Sequence, residues 1–150
     1  MSSQPIVGLV GHGVTGSRVA AHLLAADVRV AVHDPVPCTA RPGLVHVDHA
    51  SEIVGCDLVV VCRPAPHTAV IERFLTLGMP VVSVGDDLDD LKSMLRLQVV
   101  AETGHTALVV GAGMAPGLSG LLARYLAEQL HTLDELHVAV HGTAGPACAY

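Results

Sequence analysis

Runs of aliphatic, mostly β-branched residues alternate with stretches whose apolar positions recur every three or four residues, and this rhythm holds along most of the chain. Alternation of that kind is the pattern of parallel strands, buried on both faces, joined by crossover helices. Residues 5–11 (PIVGLVG) predict a first strand, and the pairs Val19/Leu23 and Ala20/Leu24 predict a helix from Val14 to Ala26. Residues 28–34 (VRVAVHD) predict a second strand that ends on an acid before Pro35 and Pro37. A short strand at 44–47 and a one-turn helix near Ser51 to Val54 follow, then the buried strand 57–63 (DLVVVCR). Val70, Ile71, Phe74 and Leu77 mark a helix over 67–77, stopped by Gly78 and Pro80.

Residues 80–85 (PVVSVG) predict a fifth strand, and a helix then starts in DDLDDLKSMLRL. Its Asp86, Asp87, Asp89 and Asp90 crowd the first turn, where negative charge suits the helix dipole, with Asp86 or Asp87 as the cap. A sixth strand is expected at 106–113 (TALVVGAG), with Pro116 as an early residue of a helix carrying Leu118, Leu121, Leu122, Tyr125 and Leu126. Residues 133–142 (LDELHVAVHG) alternate Leu136, Val138 and Val140 with His137 and His141, as a strand does that buries one face. With no later strand to pair with, it would be an open edge, left by truncation of a longer protein or paired with another chain.

Composition narrows this picture. A chain of 150 residues fits one domain of common size. One Phe, two Tyr and no Trp leave an interior of Val, Leu, Ile and Ala. Eight scattered Lys and Arg against fourteen Asp and Glu give no basic footprint for nucleic acid or an anionic membrane, and the few aromatics give no stacking platform. Cys38, Cys56, Cys62 and Cys148 show no CxxC or metal-ligand spacing, which suits a reducing cytoplasm. No basic-then-apolar leader opens the chain, and no apolar stretch reaches the roughly 18 residues that span a bilayer. A soluble, cytoplasmic protein is expected.

The chemistry starts at VGLVGHGVTGSRVA (7–20), where Gly11, Gly13 and Gly16 fall between the first strand and its helix, as in the dinucleotide-binding GxGxxG turn. Gly11 permits the tight turn, Gly13 lets a pyrophosphate approach the backbone, and Gly16 lets helix and strand pack closely. N–H groups along His12, Val14 and Thr15, at the positive end of the helix dipole, would hold the phosphates, with His12 lent for its backbone alone. Asp34 ends the second strand eighteen residues past Gly16, placed to accept hydrogen bonds from the adenosine ribose and to repel a 2′-phosphate. NAD is therefore expected over NADP, although Arg41 could soften that preference. The fold class implied is α/β, a Rossmann-type doubly wound parallel sheet in three α/β/α layers.

A second glycine turn, GAGMAPGLSGLLARYLAEQL (111–130), falls on the same edge of the predicted sheet, where by itself it reads equally as an ordinary helix start. Taken with GHGVTGSRVAAHL, VVSVGDDLDDLKSML, GAGMAPGLSGLLA and HGTAGPACA in that order, the chain resembles the saccharopine dehydrogenase family and its saccharopine-reductase-like relatives. The resemblance implies an N-terminal Rossmann domain that holds NAD or NADP, followed by a second α/β domain that supplies most of the substrate site. It implies Gly11, Gly13, Gly16 and Asp34 as cofactor contacts, the loops Cys62–Arg63–Pro64 and Val84–Gly85–Asp86 near the ribose and nicotinamide, and Met114, Pro116 and Gly117 near the nicotinamide end. Residues 1–132 would be the dinucleotide domain and 133–150 the start of the second, truncated at Tyr150, in a homo-oligomer such as a dimer. The expected activity is hydride transfer on an amino-acid-derived imine or amine, with no catalytic acid or base assigned.

Two rivals carry the same first turn: a stand-alone NAD-sensing regulatory domain of the potassium-channel type, which would lack the GAGMAPGLSGLLA and HGTAGPACA elements, and a methyltransferase. Other constellations have blander readings. HVDH (46–49) reads as a solvated strand end and not a metal site, because zinc needs three or four converging ligands. The aspartates at 86–90 read as helix-start charge and not a magnesium site. Ser83 and Ser119 have no triad order with the histidines. His67, in the RPAPH loop after the fourth strand, reads as a cap or an exposed residue.

Overall fold

The computed structural model describes residues 4–39, 41–139 and 141. Six strands form one parallel sheet in the order β3-β2-β1-β4-β5-β6. These are β1 (Ile6–Val10), β2 (Arg29–His33), β3 (Leu44–His46), β4 (Leu58–Val61), β5 (Val81–Ser83) and β6 (Leu108–Val109). That order is the doubly wound Rossmann arrangement, in which the chain winds outward from β1 in both directions and leaves a crevice at the carboxyl ends beside β1. The helices are α1 (Val14–Ala25), α2 (Thr68–Thr76), α3 (Leu88–Leu95), α4 (Gln98–Thr103) and α5 (Leu118–Ala127), with a 3-10 turn at Ala50–Ile53.

Strand periodicity sorts the core into two halves, one on each face of the sheet. Val7 and Leu9 of β1 pack with Val30, Val32, Leu44, Val60 and Ala20 of α1. Val10, Val59, Val61 and Val81 pack on the other side with Ile53, with Ile71, Phe74 and Leu75 of α2, and with Met94, Leu97 and Ala101 from α3 to α4. Leu9, Ile71 and Leu75 are wholly buried, each such side chain contributing roughly 1.5–3 kcal/mol. Here the three-layer expectation holds.

Three elements differ from expectation. β6 is only Leu108–Val109, because its register meets Val81 and Val82 of a β5 that is itself three residues long. The acidic helix ends at Leu95 and a second one begins at Gln98, with no Gly or Pro between them; Leu97 at the junction turns into the core, 7% exposed. Residues 133–139, expected as a strand, run as exposed coil. Alternation gives a strand one face, but its backbone still needs a neighbour to bond, and the sheet of the described residues takes none beyond β6. The part of that expectation at residues 140 and 142, and the HGTAGPACA segment after His141, lie outside the described residues.

Candidate functional site

The carboxyl ends of β1, β2, β4 and β5 surround a cleft of about 580 Å³, a usual size for a small-molecule site. Its walls include Gly11, Gly13, Val14 and Thr15 from the first turn, Asp34 after β2, Cys62, Arg63 and Pro64 after β4, and Val84, Gly85 and Asp86 after β5. Segments expected to share a ligand thus meet in space. Gly16 and His12 stand behind the wall, and Met114 lies elsewhere, in a hollow of about 340 Å³ between α5 and the coil from Leu136 to Ala139. Arg41 is outside the cleft lining, bridged to Leu44 at the start of β3.

Each glycine of the first turn has a separate steric reason. Gly11 has φ +99°, and a Cβ there would lie 2.8 Å from the backbone of Cys62 and Arg63, so a side chain would force β1 and β4 apart. A Cβ on Gly16 would run into the carbonyl oxygen of Gly11; only a bare Cα lets α1 start so close to the strand. At Gly13 a Cβ would meet nothing within 4 Å. The fold itself does not require glycine there, and the space its side chain would take opens onto the cleft.

Gly13 is also the N-cap of α1 and supplies no side-chain cap. A helix start leaves its first N–H groups without intrahelical partners. Those of Gly13, Val14, Thr15 and Gly16 find no acceptor among the described residues, and they sit at the positive end of the helix dipole. The turn is therefore an anion cradle by geometry and by charge.

Asp34 stands directly beside the turn, on the β2 side of the cleft. Its Oδ2 accepts the His12 N–H at 2.6 Å and its Oδ1 accepts the Val36 N–H at 2.8 Å, so the carboxylate fastens the glycine turn to the loop after β2. A carboxylate oxygen has lone pairs for more than one donor, and the residue also lines the cleft. The His12 N–H, expected to face the phosphates, is thus taken by Asp34, and its ring Nε2 is buried without a partner among the described residues. Cys62, half-buried at the end of β4, has its thiol pushed up to about 12 by burial. It acts as a wall, since the thiol is too poor an acid to be a nucleophile.

Behind the far wall is a polar cluster that the sequence did not announce. His67 is neither a side-chain cap nor exposed: it is 0% accessible, with Nε2 2.6 Å from the Arg63 carbonyl and Nδ1 2.8 Å from Ser83 Oγ. It does stand at the N-cap position of α2, as one of the two readings had it, but its ring bonds away from the helix, to the loop after β4 and to the last residue of β5, which only the folded sheet brings together. Asp87 is the N-cap of α3, accepting from Asp89 and Asp90 N–H at 3.1 and 2.8 Å. Asp90, by contrast, is buried and turned toward α2, whose start it caps by accepting His67 N–H at 2.6 Å, Thr68 N–H at 3.1 Å and Thr68 Oγ1–H at 2.6 Å. Burial would raise its pKa, but the bonds from the Thr68 hydroxyl and from the two backbone N–H groups hold the carboxyl below the usual carboxylate range. A glycine at 85 in a loop of otherwise ordinary residues was the one available signal, since a Cβ there would lie 2.9 Å from His67 Nδ1.

Among the described residues no three His, Cys, Asp or Glu side chains converge as metal ligands, and no helix is long and apolar enough to cross a membrane.

No protein-family model matches the chain, and no curated protein does. Solved structures resemble it clearly in fold. An NADPH-dependent glyoxylate/hydroxypyruvate reductase from Sinorhizobium meliloti, in complex with citrate, is 27% identical with a TM-score of 0.53 over 71% of this chain and 36% of that one. The WlbA dehydrogenase from Bordetella pertussis, in complex with NADH and UDP-GlcNAcA, is 18% identical with a TM-score of 0.63 over 85% of this chain and 42% of that one. An imine reductase from Pseudomonas sp. is 24% identical with a TM-score of 0.55 over 72% of this chain and 41% of that one. The chain thus spans 36 to 42% of the length of these neighbours. All three are oxidoreductases, and what this chain shares with them is the Rossmann-type α/β fold.

Proposed function

We propose that the cleft holds a nicotinamide dinucleotide, NAD in preference to NADP, and that this chain is the cofactor-binding portion of an oxidoreductase. The observation that carries the reading is the uncapped start of α1 sharing one cleft with the carboxylate of Asp34 beside it. The cradle suits a diphosphate, and the open space at Gly13 suits its close approach. Asp34 would accept the ribose hydroxyls of the adenosine and disfavour a 2′-phosphate. The bound nicotinamide would supply or receive a hydride, and the contribution of this chain is to hold and orient it.

The finer assignment is a saccharopine dehydrogenase-type activity, hydride transfer on an amino-acid-derived imine or amine. It is supported by the ordered motifs GHGVTGSRVAAHL, VVSVGDDLDDLKSML, GAGMAPGLSGLLA and HGTAGPACA, and the imine reductase among the fold neighbours carries related chemistry. On this reading residues 133–150 lead into a second domain that brings the substrate and the proton-transferring groups, and the assembly is a homo-oligomer.

Titration with NADH, NADPH and S-adenosylmethionine tests the ligand class, with NADH expected to bind most tightly. Asp34→Ala should weaken NADH roughly tenfold, the size of a lost charged hydrogen bond, and should abolish the preference over NADPH. Loosening of the glycine turn alone would weaken both nucleotides equally and leave their ratio unchanged. An unchanged ratio would sink the ribose assignment, and preferred binding of S-adenosylmethionine would sink the dinucleotide reading.

A further inference from the structure

We infer that His67 is a positioning residue that fastens together the two loops walling the cleft on the side away from Asp34, and that it thereby favours a ligand long enough to reach them. This rests on the dinucleotide reading above.

The direction of each hydrogen bond can be worked out from the chemistry of its ends. A carbonyl only accepts, so at 2.6 Å from the Arg63 oxygen the His67 Nε2 carries a hydrogen and donates it. In the neutral ring Nδ1 is then an acceptor, and it takes the hydroxyl hydrogen of Ser83 at 2.8 Å. Ser83 Oγ in turn accepts the N–H of Gly85 at 3.2 Å. The line runs from Gly85 N–H through the Ser83 hydroxyl and the imidazole to the Arg63 carbonyl, with every polar atom of the ring used. Both ends are backbone groups of loops that line the cleft, one after β4 and one after β5.

Burial makes this line a fastener. His67 and Ser83 are 0% accessible and Asp90 is 7% accessible, so breaking one bond leaves a polar group with neither partner nor water, which costs far more than a bond made at the surface. A fully satisfied buried network of this kind rigidifies what it joins. Asp90 holds the start of α2 below the ring, and Gly85 roofs it so tightly that a Cβ would lie 2.9 Å from Nδ1 and 3.0 Å from Cε1. Loop, ring and helix start form one unit.

The sheet order gives the unit its reach. With the diphosphate at the β1–α1 turn, Asp34 stands on the β2 side, and the Arg63 and Gly85 loops stand on the β4 and β5 side. ADP would occupy the first side only, whereas a dinucleotide extends across to the second.

Ser83→Ala removes the middle of the line and little else. It should weaken NADH roughly five- to tenfold and leave ADP unaffected. Amide exchange at Gly85 and along the Arg63–Ala65 loop should rise, with α1 unchanged. His67→Gln, which cannot reach both partners, should show the same NADH-against-ADP split. Nitrogen NMR of the unsubstituted chain should show His67 as the neutral ring protonated at Nε2. Equal weakening of NADH and ADP, an unaffected NADH affinity, unchanged loop exchange, or a ring protonated at Nδ1 would overturn the proposal. If the unsubstituted chain bound neither NADH nor ADP, the dinucleotide reading would fail, while tautomer and exchange would still decide whether His67 fastens the loops.

Discussion

Two glycine turns leave the same edge of the sheet, and in sequence they look alike: Gly11, Gly13 and Gly16 after β1, Gly111, Gly113 and Gly117 after β6. In the first, the glycines open a helix start, leaving N–H groups free and unobstructed space at Gly13. In the second, the backbone closes on itself: Gly113 N–H donates to Pro116 O at 3.1 Å, Leu118 N–H to Gly113 O and Ser119 N–H to Met114 O, both at 2.9 Å. Gly117, at φ +128°, is there because a Cβ would strike the carbonyl oxygens of Gly113 and Gly111. The helices differ too, since α1 buries Gly16 and Ala20 while α5 buries nothing. Glycine content alone does not make an anion cradle; free donors beside open space do.

Gly16→Ala should break the contrast most severely. Its Cβ meets the Gly11 carbonyl, so α1 must shift off the sheet, at a cost of roughly 2–4 kcal/mol in stability and with loss of NADH binding, readable by denaturant melts and titration. Gly13→Ala is the sharpening partner. Its melt should change by less than about 1 kcal/mol, the N-cap difference between glycine and alanine, while nucleotide affinity falls; retained affinity would remove the reason offered for glycine there.

Acid should act next, through Asp90 at the start of α2 and not through either glycine turn. The folded pKa of Asp90 lies below its unfolded value, so its contribution to stability is present above the unfolded value of about 3.9 and is lost as pH falls through the folded one. Melting curves from pH 7 down to 3 should show a decline that Asp90→Asn flattens, with the neutral-pH stability of that variant lower by roughly 2 kcal/mol. Gly117→Ala should have a smaller global effect: amide exchange along α5 should rise, the melt of the β1–β5 core should barely move, and ADP affinity should stay. Smallest of all, Cys62 should react with maleimide at pH 8 far more slowly in the folded chain than in urea, because burial pushes its thiol up to about 12.

Sequence and fold agree where one local cause dominates. Strands β1 and β4 are apolar on both faces, β2 alternates, and all three are bounded by turn residues, so their patterns have one reading, and Asp34 falls where β2 must end. The glycines at 11 and 16 are legible because the strand and helix on either side restrict the backbone between them. Agreement fails where distant segments decide. Leu97 breaks a continuous-looking helix because the core has a place for it, β6 is cut to the length of β5, and residues 133–139 alternate without a neighbour to bond. His67 is the clearest case: the carbonyl, hydroxyl and carboxylate that surround it lie 4, 16 and 23 residues away, and no spacing rule brings them to one point.

Helix α5 has a practical consequence. Leu121, Leu122, Tyr125 and Leu126, each more than half accessible, gather four large apolar side chains into one oily ridge, and water is a poor solvent for such a ridge. Stickiness of the purified polypeptide to surfaces and its salting-out point should respond to polar replacement along this ridge, while its melting is governed by the sheet.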